Sequence, residues 1–155
     1  MIMKQIVKKI LIKLGLLDQP KGQIRKDVEI IPIQPNLELV VYWKVLRIGK
    51  GPTAILQAFG NEIIKFDCFG KNDGHYHLAP NIVERIFFEE ETAFGQINKT
   101  AKELVNNSQT YLERQQEDHI RNIKIDQEKF SNAVEMAKKK MNFFLQTVPE
   151  LKDLR

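Results

Sequence analysis

Apolar residues recur along this chain in more than one rhythm, and each rhythm predicts a different element. Between residues 2 and 14, Ile2, Ile6, Ile10 and Leu14 lie four apart, and Met3, Val7 and Leu11 widen the stripe. Lys4, Lys8 and Lys9 fall mostly opposite, which is the pattern of an amphipathic helix. Gly15 is a natural stop. The run Leu37 to Ile48 is rich in β-branched and aromatic residues and predicts a strand, with Leu39, Val41, Trp43 and Val45 on one face. Gly49 to Pro52 reads as a turn, Thr53 to Phe59 as a strand, Gly60-Asn61 as a turn, and Glu62 to Phe69 as a further strand. The segment Ile24 to Ile33 contains Pro32 and is followed by Pro35, so it can serve only at a sheet edge. Ile82 to Phe88 suits either another strand or the entry to a helix.

The rhythm then changes. Gln96 to Val148 contains neither Gly nor Pro and is dominated by good helix formers. Ile97, Ala101, Leu104, Ser108, Tyr111 and Gln115 follow a four-three spacing, as do Phe130, Val134, Ala137, Met141, Phe144 and Val148. This is the seam of two packed helices or of a coiled coil. The intervening residues 115–126 are polar, so a bend there gives a helical hairpin and its absence gives one long projecting helix. The expected fold class is α+β. It comprises an antiparallel β-meander of about four to five strands, an N-terminal amphipathic helix, and a long C-terminal helix or helical hairpin. We divide the chain into residues 1–17, a sheet domain at 24–90 and a helical region at 91–148, with Asp18 to Gly22 as a linker.

Charge alters this picture little. The formal net charge of +4 arises from Lys4, Lys8, Lys9 and Lys13, because the rest of the 155-residue chain carries equal numbers of basic and acidic side chains. A nucleic-acid groove is therefore not implied by overall charge. The single cysteine, Cys68, excludes an internal disulfide and fits a reducing compartment. No stretch approaches the roughly 20 apolar residues of a membrane span, and we expect a cytoplasmic protein.

The most chemically informative stretch is Phe66-Asp67-Cys68-Phe69-Gly70-Lys71-Asn72-Asp73-Gly74-His75-Tyr76-His77-Leu78. A glycine-bounded loop joins two short strands. Symmetric closure places Phe69 opposite His75, Cys68 opposite Tyr76 and Asp67 opposite His77. Asp67, Phe69, His75 and His77 then share a face. A carboxylate can orient an imidazole while a second imidazole supplies the complementary acid or base. The same trio could begin a metal site, or simply finish a sheet face. We take Asp67, His75 and His77 as the candidate catalytic residues, with Lys65 and Lys71 as candidate phosphate contacts, and assign no metal or other cofactor.

Lys65-Phe66-Asp67-Cys68-Phe69 followed by His75-Tyr76-His77 resembles a small prokaryotic domain family of unknown function, in which an R-F-D-C-F-like strand precedes H-Y-H-Y. More distantly, Asp67, Gly70, Lys71, Asp73, His75 and His77 resemble the pattern of the TumE toxin family. The resemblance covers about a third of the chain. It implies a toxin that acts on RNA and is paired with an antitoxin. Two functions are thus expected to compete. One is a toxin-like RNA-acting component of a toxin–antitoxin pair. The other is a non-enzymatic protein-binding or assembly module that oligomerises or docks a partner through its C-terminal helices. A weaker alternative is peripheral membrane contact through residues 1–17.

Overall fold

In a computed structural model, residues 2–13 and 24–155 are described. Residues 1 and 14–23, which include Gly15 and the expected linker at Asp18 to Gly22, lie outside the described residues. The first helix, α1, spans Ile2–Lys13, and its Ile2, Met3, Ile6 and Val7 are exposed. Six strands follow: β1 (Lys26–Gln34), β2 (Leu37–Leu46), β3 (Gly49–Ala58), β4 (Asn61–Asp67), β5 (His75–Leu78) and β6 (Asn81–Phe87). They form one antiparallel sheet in sequential order.

The fold is α+β as expected, but it has six strands rather than four or five. The extra strand is the ambiguous stretch after Asn81, which returns along β5 instead of starting a helix. A second difference lies at Gly49 to Pro52. These residues open β3 rather than forming the turn, because Leu46 pairs directly with Gly49 and the reversal tightens to Arg47-Ile48. Pro52 is tolerated inside the sheet for a local reason. Its carbonyl accepts the Cys68 N–H at 2.9 Å, just beyond the last residue of β4, so its missing donor falls where that ladder ends.

The C-terminal region is a helical hairpin. Helix α2 spans Ala93–Glu113 and α4 spans Gln127–Thr147, with the short α3 (Asp118–Arg121) between them. A closing 3-10 turn runs over Pro149–Leu154. Thr92 and Asp126 cap the two long helices by accepting the N–H groups of Gly95 and Lys129. The bend at residues 114–126 needs neither Gly nor Pro because side chains hold it. Gln109 accepts Ile125 N–H at 3.0 Å and donates to the Ile123 carbonyl at 2.9 Å. Gln34 on β1 similarly joins Asp126 N–H and the Lys124 carbonyl. The spaced apolar positions are indeed an internal seam. Ile97, Leu104, Phe130, Val134, Ala137, Met141 and Phe144 are buried against Leu39, Val41, Trp43, Leu56 and Phe66 from one sheet face. Val45, expected beside Trp43, is exposed.

Cys68 belongs to this core, with Sγ 3.4 Å from Thr100 Oγ1. Burial pushes its thiol up to about 12, against the opposing hydrogen bond with Thr100. No helix among the described residues is long and apolar enough to cross a membrane. Because the thiol is both inaccessible and protonated at neutral pH, the native protein should resist iodoacetamide at pH 8. Mass spectrometry should detect rapid alkylation only after denaturation; fast native labelling would contradict the placement of Cys68.

Candidate functional site

The sheet face opposite the one packed against α2 and α4 carries an unusual cross-strand row. Tyr42, Thr53, Asp67, His75 and Phe87 lie directly opposite one another from β2 to β6. His77 lies one position along this face, opposite Lys65. Asp67, His75 and His77 therefore share a face as expected, but their register differs. Asp67 pairs with His75, not His77, and Phe69 pairs with neither histidine. The two-residue shift preserves the faces because side chains alternate with a period of two.

The shift comes from the loop, which is held by a group distant in sequence. Gln96 of α2 donates to the Gly70 carbonyl at 2.8 Å and accepts its N–H at 2.9 Å. It also donates to the Glu90 carbonyl at 2.9 Å. Gly70 takes a φ of +82°, and a Cβ at Gly74 would overlap the Gln96 amide. The chain consequently leaves β4 at Asp67 and rejoins the sheet at His75. Phe69 still reaches the site from the loop, packing edge-on to His75 with centroids 5.7 Å apart.

Asp67 is the centre of the site and is only 2% exposed. Its Oδ1 accepts the Thr53 hydroxyl at 2.7 Å and lies 2.9 Å from Lys44 Nζ. Its Oδ2 lies 3.3 Å from His75 Nε2 and 3.8 Å from His77 Nε2. Burial alone would raise the carboxyl's pKa. The contact with His75, the Lys44 charge and hydrogen bond, and the Thr53 hydroxyl outweigh that and hold it well below the usual carboxylate range. Lys44 is pulled below its ordinary value by burial, with Asp67 opposing. Its ammonium also stands near the rings of Tyr42 and Phe69, and the Arg25 guanidinium lies over the Tyr42 ring at 4.8 Å.

The two histidines are not equivalent. His75 is 2% exposed, and its Nδ1 is 2.7 Å from the Asp73 carbonyl. A carbonyl can only accept, so this nitrogen carries a proton. His77 is partly exposed, yet its Nδ1 is buried without a hydrogen-bond partner. Burial, and then the positive charge of Lys65, depress its pKa, with Asp67 opposing. Neutral His77 is thus the only member of the trio at the solvent boundary.

The lysines expected to contact phosphate separate. Lys65 remains beside His77 and is 3.6 Å from Glu62. Lys71 lines a cleft of about 610 Å³ with Phe69, Asp73, Glu91, Phe94 and Arg155, and a second one with Glu89, Glu90 and Glu91. Neither cleft wall includes the trio, and the second is strongly acidic. Sequence reasoning missed Lys44, Thr53 and Gln96. Lys44 left one local signal, a lone cation inside the apolar run of β2. Gln96 left none.

No family model, curated protein or solved structure matches this chain.

Asp67→Ala removes the counter-charge of a buried ammonium and should cost about 3–5 kcal/mol in urea unfolding at neutral pH. Replacing both partners, as in Lys44→Met with Asp67→Leu, should recover most of that loss. A double variant as unstable as the sum of both single variants would count against the pairing. The carboxylate's contribution should be complete above its unfolded pKa of about 3.9 and vanish as pH falls through its lower folded value.

Proposed function

We propose that this chain is a protein-binding module that accepts an extended segment of its partner beside β6. The supporting observation is the difference between the two sheet edges. β1 contains Pro32 and two register irregularities, and it is tied to the helical region through Gln34 and a Lys140–Glu29 ion pair. These features blunt an edge. β6 is the other edge. All of its residues except Ile86 are exposed, including Ile82, Val83 and Phe87. Its outer backbone groups have no neighbouring strand among the described residues. An extended peptide with alternating apolar side chains would satisfy both the backbone and the side chains. The helix seams are already filled from within the chain, so they leave less apolar surface for a partner.

Peptides selected from a displayed library should protect β6 amides from hydrogen exchange. Val83→Lys, at an open position, should weaken them at least about tenfold while changing stability by less than about 0.5 kcal/mol. Selected peptides that protect another surface, or that bind Val83→Lys equally well, would refute the proposal. A concentration-dependent dimer that protects β6 would replace the foreign partner with a second copy.

A second reading, an RNA-acting toxin-like component, is supported by the convergence of Asp67, His75 and His77. Access limits the chemistry to His77, with Asp67 and His75 behind it. Purified protein should then cleave single-stranded RNA, and His77→Ala should abolish cleavage without altering the thermal midpoint. No cleavage by the intact protein would dispose of this reading.

A further inference from the structure

We infer that Asp67, His75 and His77 form a binding site for a first-row divalent cation of the zinc class. This goes beyond the partner-binding reading and does not depend on it. It takes up the metal site that the sequence left open for the same three residues.

The donor set is already gathered. One ligand atom from each residue lies within 4.8 Å of the others. His75 Nε2 and His77 Nε2 approach the same oxygen, Asp67 Oδ2, at 3.3 and 3.8 Å. Ligands about 2.0–2.2 Å from a tetrahedral ion stand roughly 3.3–3.6 Å apart. Only small movements would close the set on such an ion. The two rings are nearly perpendicular, at 85°, so they approach from different directions.

The surrounding groups also suit an ion. The Asp73 carbonyl fixes a proton of His75 on Nδ1, so Nε2 is the ring nitrogen that faces Asp67 and that a metal would take in place of a proton. A backbone carbonyl in this position is a common outer partner of a metal-bound histidine. A metal cation among the two nitrogens and Oδ2 would take the place of the protons that otherwise bridge them. Thr53 and Lys44 occupy the other carboxylate oxygen, Oδ1, and orient the group while leaving Oδ2 to act as a single ligand. The Lys44 ammonium lowers affinity for every divalent cation alike, while two imidazole nitrogens among three donors favour nitrogen-preferring ions over Mg²⁺ or Ca²⁺. Three protein ligands leave a fourth position for water on the partly exposed His77 side.

The test uses chelator-treated, dialysed full chain titrated with Zn²⁺ by calorimetry and with Co²⁺ by visible absorption. One equivalent should bind, and Zn²⁺ should raise the thermal midpoint. His77→Ala and His77→Asn should each weaken binding at least tenfold while retaining the native circular-dichroism spectrum. His119→Ala, which removes the only histidine outside the trio, should leave binding unchanged. Lack of stoichiometric binding by the intact chain overturns the inference. So does loss in His119→Ala, or unchanged affinity in folded His77 variants.

Discussion

The charge of Asp67 is the constraint from which much of this architecture follows. A carboxylate 2% exposed in the middle of a sheet must be compensated on the spot, because removal from water costs several kcal/mol. Its partners arrive from three other strands: Lys44 on β2, Thr53 on β3 and the histidines on β5. One anion thereby ties together four consecutive strands. A one-residue slip of any neighbour would carry its polar group to the opposite face and leave the charge exposed to apolar surroundings. An apolar core alone discriminates less sharply between registers, because leucine, isoleucine and valine substitute for one another in packing.

The two faces of the sheet consequently have different tasks. The helix-covered face supplies burial, through Leu39, Val41, Leu56 and Phe66 against the seam of α2 and α4. Among the described residues, the other face carries a small apolar cluster of Val40, Tyr42 and Ile55, and its polar row defines alignment. Gln96 joins the two tasks. It sits on α2, in the helical layer, yet holds the loop that sets where β5 begins. Docking of the helix and registration of the histidines are therefore parts of one arrangement, and loosening one loosens the other.

Legibility in the sequence followed the distance over which a feature is determined. The seams of α2 and α4 were readable because their spacing is local, and so was the polar bend between them. Pro32 marked an edge strand for a similarly local reason. The shared face of Asp67, His75 and His77 was also readable, since parity survives a two-residue shift. Their pairing was not, because Gln96 lengthens the loop from across the fold. Lys44 was passed over as a lone cation in β2, since nothing near it in sequence shows that its counter-charge lies on β4. The start of β3 was misplaced because Gly49 and Gly51 look like turn residues, although here they extend the ladder opposite β2.

The Asp67, His75 and His77 trio and the open edge are separated by very little structure. β5 has only four residues, and two of them are His75 and His77. On its outer side, His75 faces Phe87 of β6, with ring centroids 5.9 Å apart. Any ligand that orders the histidines must also order the strand on which β6 pairs. Any segment added to β6 must restrain Phe87 and, through it, His75. Such coupling is reciprocal by thermodynamic necessity: a cation that favours the peptide-binding form of β6 is itself held more tightly once the peptide is bound. β5 is the element through which the two sites would communicate, because it carries the histidines and pairs directly with β6.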